Sequence, residues 1–365
     1  MLLVAACAEP APAAGPASPP PSSRPAALVQ SYTVCFGAMP ADWSRRFQAR
    51  DLSADFQVDA VSDDGHAAFG RSRSSAGMGV GAVDLATGAL TDIASLPAGA
   101  AGVGAMAAAQ PWVVWQQANS ATDLGDWSVR GWDQRSNRVI DLATSRLPDG
   151  GEVFGQAPLP VVARGTAAWA QPLARQAGYP EAQVVRYDLA ARRETVLDTG
   201  RVSGPVFAGP DLVWARVEAD GSYSLRAVDA ATLRPAPLPA RAGSPGQVRY
   251  LAGSDRYLAW SSDEQSLHVW RIGTAEYGDY TTDLRHPLQF LRLAGDFVLW
   301  YAGYPSSVLD LRTGRAFDVR GSVAGSAAAI AESEPSRPPA TKSDVVPARL
   351  SSAPLSAAAR VDSCG

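Results

Sequence analysis

The chain has 365 residues, a formal net charge of −4 and a hydrophobic fraction of 46%. This length allows a large buried core, and the slightly acidic charge gives no reason to expect a nucleic-acid partner. No stretch approaches the roughly 20 apolar residues that a membrane-spanning helix needs. The sequence therefore predicts no such helix.

The first seven residues, MLLVAAC, place an aliphatic residue and two small residues before Cys7. This segment (1–7) resembles the lipobox that ends a bacterial lipoprotein signal peptide. The resemblance implies that Cys7 receives a lipid that holds the protein at the cell membrane, on its extracytoplasmic face. A basic region is missing and the apolar run is shorter than the usual ~7–15 residues. We therefore expect a start codon assigned too late or a truncated signal; the alternative is an accidental N-terminus around a free thiol.

Residues 8–30 form a Pro/Ala-rich segment, with seven prolines between residues 8 and 26 and no core-forming pattern. Such a composition favours a disordered, extended spacer, at about 3.1 Å per residue where it adopts polyproline II. Placed after a lipidated cysteine, it would act as a tether that lifts a globular domain off the membrane. The alternative is a disordered terminus without that role.

From residue 66 onward, an apolar run ending in an aromatic residue recurs. The aromatic residues lie 40 to 54 residues apart and are Phe69, Trp115, Trp169, Trp214, Trp260 and Trp300. Most copies continue into a turn that begins with aspartate, such as DLATG from Asp84, whereas the fifth copy has RIGTA from Arg271. Repeats of about 40–50 residues are typical of a β-propeller, in which each copy is one four-stranded blade.

The predicted fold is therefore an all-β propeller of six to seven four-stranded blades, and seven is favoured. The seventh copy is weak: GSAAAIAES (325–333) lacks the aromatic residue, and SDVVPARLS (343–351) would supply its third strand. The N-terminal strand around LVQSYTVCF (28–36) would supply the fourth strand. The propeller domain would then span residues 31–365 and close by pairing of its N- and C-terminal strands.

Two cysteines remain if Cys7 is lipidated. Cys35 lies in the first predicted strand of the domain, and Cys364 is the next-to-last residue. Because a closed ring brings its termini together, we expect a Cys35–Cys364 disulfide in an oxidising compartment. In the chain-entropy model a loop of this length stabilises the fold by about 5 kcal/mol. The alternative is two unrelated thiols.

Two segments, VSDDGHAAFGRS (61–72) and VDLATGALTDI (83–93), resemble the repeat of TolB-type (WD-repeat-like) propellers. The matching positions are Ser62, Asp64, Gly65, Phe69, Asp84, Leu85 and Gly88. Asp63 replaces the usual proline, the strand after Gly65 is one residue short, and the other copies lack the Ser-Pro-Asp-Gly form. The resemblance covers the architecture from about residue 31 onward. It implies a periplasmic or cell-surface interaction platform, and it carries over no catalytic residue.

Sequence motifs predict no catalytic constellation, no metal site and no cofactor. The three histidines, His66, His268 and His286, form neither HxxxH nor HExxH. AGSPG (242–246) lacks the first glycine of a nucleophile elbow and the strand–turn–helix context that would expose a serine.

A candidate binding face follows from the hairpins between second and third strands, which emerge on one side of a propeller. Tyrosine and tryptophan are enriched at the energetic centres of interfaces. The candidate residues in and beside these hairpins are Trp127, Tyr179, Tyr223, Tyr277, Tyr280 and Tyr304. The alternative is that their rings turn inward and pack between blades.

The leading hypothesis is thus a membrane-tethered, extracytoplasmic propeller lipoprotein that binds an envelope protein or a small ligand. A second hypothesis is a cell-surface hydrolase or lyase of glycans or peptides, with acidic residues in the channel. A third is a purely structural envelope protein. The enzyme predicts converging carboxylates in a deep axial pocket.

Overall fold

In the computed structural model, the structure describes residues 28–74, 77–100, 102–123, 125–146, 157–173, 181–301, 305–337 and 345–355. These residues form seven sheets in which each sheet packs against the next, and the seventh packs against the first. The fold is therefore a seven-bladed β-propeller. The all-β prediction is confirmed, and the favoured number of blades is the observed one.

Short elements precede the first blade. They are β1 (Leu28–Thr33), β2 (Cys35–Gly37), helix α1 (Ala41–Arg46) and β3 (Gln48–Asp51). The buried ring of Trp43 in α1 packs edge-on against Phe297 and Phe317 of blade 6, at centroid distances of 5.0 and 5.2 Å. This contact fixes the N-terminal segment to the outside of the ring.

The first four blades follow in chain order. Blade 1 contains β4 (Asp55–Val61), β5 (Ala67–Ser74), β6 (Gly77–Asp84) and β7 (Leu90–Ser95). Blade 2 contains β8 (Gly102–Ala109), β9 (Trp112–Ala118), β10 (Trp127–Asp133) and β11 (Arg138–Thr144). Blade 3 contains β12 (Val161–Ala163), β13 (Thr166–Pro172), β14 (Ala182–Asp188) and β15 (Arg193–Gly200). Blade 4 has only β16 (Val202–Ala208), β17 (Asp211–Val217) and β18 (Tyr223–Asp229), and helix α2 (Ala240–Gly243) follows it.

The last three blades each carry a strand from the N-terminal segment. Blade 5 contains β19 (Tyr250–Gly253), β20 (Tyr257–Ser261), β21 (Ser266–Arg271) and β22 (Glu276–Thr281), with β1 added parallel to β22. Blade 6 contains β23 (Arg292–Ala294), β24 (Phe297–Tyr301), β25 (Ser306–Asp310) and β26 (Arg315–Val319), with β2 added parallel to β26. Blade 7 contains β27 (Ser322–Gly325), β28 (Ala329–Pro335) and β29 (Ala348–Pro354), with β3 antiparallel to β29.

An N-terminal strand pairs with a C-terminal strand in blade 7, as expected, but this N-terminal strand is not the one predicted from the sequence. The fourth strand of blade 7 is β3 (48–51), whereas the 28–36 segment supplies β1 and β2 as fifth strands of blades 5 and 6. Parallel addition to an outer edge needs no hairpin to an adjacent strand, so a segment remote in sequence can supply it. The sequence pattern alone could not choose between the three outer edges.

The recurring aromatic residues fill the spaces between blades. All six are between 0% and 4% exposed. In one of these interfaces Trp115 belongs to the same buried cluster as Phe69 of the preceding blade. The weak seventh copy has Ile330 and Ala331 in the corresponding strand, and both are fully buried. A smaller residue can thus occupy this position, which is why the repeat fades in the sequence.

The aspartate turns share one geometry. One Asp84 carboxylate oxygen accepts hydrogen bonds from the backbone N–H groups of Ala86 and Thr87 at 3.0 and 2.7 Å. The chain then turns through a left-handed residue, Gly88, with φ of 78°. Aspartate and glycine suit these positions because one bonds the local backbone and the other adopts positive φ without strain.

None of the helices within the described parts of the chain is both long and apolar enough to cross a membrane.

Candidate ligand site in the propeller channel

Three of the six aromatic residues predicted to form a binding face are buried. Trp127, Tyr277 and Tyr280 are 0%, 5% and 4% exposed. Trp127 belongs to the core cluster that also contains Trp169 of blade 3, and the Tyr280 hydroxyl donates to the carbonyl of Leu311 at 2.7 Å. These three residues therefore do not form an accessible face, because the strand alternation turns their rings into the interfaces between blades.

The other three candidates are placed differently. Tyr223 begins β18 and is partly accessible, although its ring packs against the cluster between blades 4 and 5. Tyr179 and Tyr304 lie outside the described residues. The aromatic surface proposed from the sequence is thus reduced to Tyr223 within the described part of the chain.

One of the three cysteines lies in the described part of the chain. Cys35 is the first residue of β2, on the outer edge of blade 6, and it is partly buried. Cys7 and Cys364 both lie outside the described residues.

The inner strand of blade 1 carries a buried charge. Asp59 lies on β4 at a bulge, where the register with β5 shifts between Val58 and Ala60. Bulges re-aim side chains that regular pleating would place elsewhere. The carboxylate accepts two hydrogen bonds from Arg71, at 2.9 Å from Nε and 3.1 Å from Nη2. The Asp59 side chain is 5% exposed, so the bidentate guanidinium neutralises a charge that would otherwise be costly to bury.

A second guanidinium reaches Asp59 from two blades away. Arg292 begins β23, the inner strand of blade 6, and blade 7 lies between blades 6 and 1. Arg292 Nη1 nevertheless donates to the backbone carbonyl of Asp59. Among the described residues no carboxylate accepts a hydrogen bond from Arg292. The side chain therefore connects blades 6 and 1, and its charge has no hydrogen-bonded counterion in the described part of the chain.

Burial lowers the pKa of Arg292; the Asp59 carboxylate opposes this shift, and the neighbouring Arg71 cation adds to it. The positive charge at this point of the channel is thus destabilised by its surroundings. An anion bound beside Arg292 would relieve that penalty, because an opposite charge at close range stabilises a buried ion.

Two aromatic residues lie where the inner strands of blades 5 and 6 begin. Tyr250 is the first residue of β19, and Phe290 lies two residues before β23. Their ring centroids are 5.6 Å apart. Phe290 is 47% exposed and has φ of 47°, a left-handed conformation that a phenylalanine adopts only under strain. We call Arg71, Tyr250, Phe290 and Arg292 the basic end of the channel.

Carboxylates collect at the opposite end, in turns between first and second strands. Asp63 and Asp64 come from blade 1, and Asp255 comes from blade 5. Asp255 is paired with Arg164 of blade 3, and Asp64 accepts a hydrogen bond from Gln110 of blade 2. We call Asp63, Asp64 and Asp255 the acidic end of the channel.

Two neighbouring carboxyl groups at the acidic end shift in opposite directions. Burial raises the pKa of Asp63, and repulsion from Asp255 and Asp64 adds to this against a hydrogen bond from the Gln110 backbone. Burial also acts on Asp64, but hydrogen bonds from Ser62, the His66 backbone and Gln110 outweigh it and lower the pKa of Asp64. The two ends of the channel thus differ in charge.

No three His, Cys, Asp or Glu side chains are grouped to hold a metal ion within the described ranges. The basic end instead offers the guanidinium groups of Arg71 and Arg292, and Phe290, two residues before Arg292, adds an exposed aromatic ring. Guanidinium groups suit planar anions such as carboxylates, and aromatic rings suit a flat organic body. The arrangement can therefore hold an organic anion.

Sequence reasoning did not single out these channel residues. Asp59 interrupts an apolar strand, FQVDAV, and Arg292 interrupts LRLAG. A charged residue inside an inner-strand pattern is a usable signal, because an unpaired charge is rarely buried without a purpose. The contact between Arg292 and blade 1, however, depends on ring closure across 233 residues of sequence.

The strand topology defines the class of the protein, a seven-bladed β-propeller. This agrees with the expected resemblance to TolB-type propellers in architecture. No family model matches the chain, and no curated protein matches it.

Several solved structures are similar in fold. TolB from Acinetobacter baumannii has a TM-score of 0.39 at 11% identity, covering 71% of this chain and 52% of TolB, so the match spans about half of the TolB chain. A chain of a mitotic checkpoint complex has a TM-score of 0.48 at 13% identity and covers 92% of this chain and 96% of its own. An oligogalacturonate lyase in complex with manganese has a TM-score of 0.46 at 10% identity, covering 85% of this chain and 97% of the lyase. At these identities the similarity concerns the fold alone.

Proposed function

We propose that the protein is a membrane-tethered, extracytoplasmic propeller that binds an organic anion at the basic end of its channel. The observation that carries this proposal is Arg292, a channel guanidinium whose hydrogen bond goes to a backbone carbonyl, with Arg71 beside it. The exposed ring of Phe290 and the neighbouring Tyr250 provide an apolar surface for the body of the ligand.

The location rests on the N-terminal sequence. A lipid on Cys7 and the proline-rich spacer after it would hold the ring at a distance from the membrane. A Cys35–Cys364 disulfide would fit an oxidising compartment and would fasten the C-terminal end of the chain to the outer edge of blade 6, where β2 lies.

The ligand class can be tested by thermal unfolding with a panel of anions. The panel contains benzoate, galacturonate, glutamate, inorganic phosphate and sulfate, with glucose as the neutral reference. A ligand present at 100 times its Kd adds about 2.7 kcal/mol to the free energy of unfolding. We expect at least one organic carboxylate to raise the melting temperature of the wild-type protein, and glucose to have no effect.

Arg292→Gln should abolish the shift, since it removes the channel cation and keeps a polar side chain of similar length. Arg285→Gln is the matched control, because Arg285 lies in the connection between blades 5 and 6 and its side chain is 83% exposed. It removes the same charge outside the channel and should leave the shift unchanged. A shift of equal size in Arg292→Gln, or no shift with any anion, would refute the proposal.

A hydrolase or lyase is the second candidate function, and the acidic end of the channel favours it. Neighbouring carboxyl groups with pKa values pushed apart are the arrangement that general acid–base catalysis uses. If this candidate holds, the wild-type protein cleaves a member of a glycan and peptide panel, and Asp63→Asn lowers the rate by about 100-fold or more. Absence of cleavage across the panel would count against it.

A further inference from the structure

Away from the channel, blade 5 carries a serine, a histidine and an aspartate in one hydrogen-bonded chain. Ser262 Oγ lies 3.2 Å from His268 Nε2, and His268 Nδ1 lies 2.8 Å from Asp279 Oδ1. Ser262 directly follows β20, while His268 and Asp279 are register partners on β21 and β22. Three neighbouring strands therefore fix the geometry, which is that of a nucleophile, a base and the group that orients the base.

The aspartate is itself held in place. Arg241 of α2 donates to Asp279 Oδ1 at 2.7 Å. Burial raises the pKa of Asp279, but the hydrogen bonds from His268 and Arg241 outweigh it and bring the pKa below its usual value. Asp279 thus stays ionised at neutral pH and can stabilise an imidazolium on His268. The Trp260 ring, 5.4 Å from the His268 ring, packs along one side of the imidazole.

The hydrogen-bonded Ser262, His268 and Asp279 side chains are accessible to solvent. Ser262 is partly accessible, and the His268 side chain is 22% exposed.

The backbone N–H of Asp263 is the candidate donor for a developing negative charge. The N–H of Asp263, the residue after Ser262, has no acceptor among the described residues. In the nucleophile-elbow arrangement, the N–H after the nucleophilic serine forms part of the oxyanion hole. The Asp263 carboxylate is engaged elsewhere, accepting hydrogen bonds from the N–H groups of Gln265 and Ser266 at 2.7 and 2.6 Å.

We propose that Ser262 is a nucleophile activated by His268, and that this second site, on the outside of the ring, transfers the acyl group of a carboxylic ester to water. Ser262 Oγ attacks the ester carbonyl carbon while His268 Nε2 accepts the hydroxyl proton. The ester C–O bond breaks, the alcohol leaves with the proton from His268, and the acyl group remains on Ser262. Water then attacks the acyl carbon, gives its proton to His268, and the acid is released as Ser262 Oγ recovers that proton.

The test is covalent labelling of the full chain with a fluorophosphonate, read by intact mass and by peptide mapping. We expect a single adduct on Ser262 in the wild-type protein and slow hydrolysis of p-nitrophenyl acetate. Ser262→Ala should lose both. His268→Gln should label at least about 100-fold more slowly, the contribution of a general base.

Ser222→Ala is the matched control, because Ser222 lies at the equivalent hairpin of blade 4 and its hydroxyl bonds Asp220 instead of a histidine. It should label like the wild-type protein. Circular dichroism and melting temperature establish that each variant is folded, so that lost labelling reports reactivity. No adduct on Ser262 in the folded wild-type protein, or equal labelling rates with and without His268, would show that the hydrogen-bonded chain is only structural.

Discussion

At the scale of single residues, Trp127 loses all of its accessible surface between blades 2 and 3. Its Nε1 has no hydrogen-bond partner among the described residues. The ring therefore contributes to stability through apolar burial and close packing. Trp115 and Trp300, on the second strands of blades 2 and 6, are buried in the same way, and their Nε1 atoms also lack a partner among the described residues.

Trp127→Ala should lower the free energy of unfolding by about 3–5 kcal/mol, as large-to-small changes of buried aromatic residues do. Trp127→Phe keeps a six-membered aromatic ring and removes the rest of the indole, including a nitrogen without a partner, so the loss should be smaller than in Trp127→Ala. Urea unfolding of the three proteins measures the difference. Equal stability of Trp127→Ala and the wild-type protein would mean that the ring is not part of the core.

Asp283 gives a prediction on pH. A hydrogen bond from His286, together with those from Arg285, outweighs the effect of burial and lowers the pKa of Asp283 from an ordinary value of 3.8 to about 2 in the folded protein. The unfolded chain binds the proton more readily, so this group stabilises the fold above about pH 4 and loses that contribution as the pH falls through about 2.

In Asp283→Asn, the decrease in stability between pH 4 and pH 2 should be shallower than in the wild-type protein. Asp92→Asn is the control, since Asp92 is exposed on β7 and makes no side-chain hydrogen bond among the described residues. Unfolding free energies at half-unit pH steps provide the comparison. Superimposable slopes for Asp283→Asn and wild type would contradict the role of the His286 hydrogen bond.

At the scale of elements, the inner strands approach each other where glycine leaves room. A Cβ on Gly253 of β19 would lie 2.1 Å from the backbone carbonyl oxygen of Phe207 on β16. Backbone cannot move away as a flexible side chain can, so the contact between blades 4 and 5 requires glycine here. A Cβ on Gly204 of β16 would instead meet no described atom within 4 Å.

Gly253→Ala should destabilise the fold by about 1–3 kcal/mol through overpacking. Gly204→Ala should leave the free energy of unfolding unchanged or raise it by up to about 1 kcal/mol, because alanine restricts the unfolded chain and causes no clash in the folded one. Thermal or urea unfolding of both variants checks the pair. A neutral Gly253→Ala would mean that blades 4 and 5 can separate freely.

The sequence predicted the repeated elements well, because each blade is built from local signals. Alternating strands, a terminal aromatic residue and an aspartate turn recur within about 40–50 residues. The outer-edge assignments of β1, β2 and β3 were not predictable in the same way. Each pairs with a strand more than 240 residues away, and strand alternation carries no information on the partner of an edge.

The residues of the candidate site also differ in how far the sequence could predict them. Aromatic residues near hairpins were predicted as a surface, but tertiary packing buries Trp127, Tyr277 and Tyr280. Arg292 and Asp59 were not predicted, since their contact forms only when the ring is closed. Local pattern therefore indicates which residues are strands and turns, whereas the channel chemistry depends on the long-range order of blades.

At the scale of the whole molecule, three outer edges are occupied by strands that precede the first blade. β3 completes blade 7, so the first and last sheets are linked through non-covalent pairing. The segment immediately before β1 is the proposed tether. A tether at this position would attach the ring to the membrane through the outer edge of blade 5, where β1 lies, and would thereby determine the orientation of the ring.

Lipidation can be tested in a bacterial host that processes lipoproteins, with a lipoprotein signal peptide fused in front of Cys7. The protein should fractionate with membranes and require detergent for extraction, and its mass should exceed that of the polypeptide by a diacylglyceryl group or more. Cys7→Ser should release it in soluble form, while Cys35→Ser should not. An unmodified Cys7 in the mature protein would refute the anchor.

The measurement that tests the channel claim most directly is isothermal titration calorimetry with the carboxylate that gives the largest thermal shift. We predict one binding site per chain in the wild-type protein and in Arg285→Gln, and no measurable binding in folded Arg292→Gln. Binding of the same affinity in Arg292→Gln would show that the ligand site lies outside the basic end of the channel.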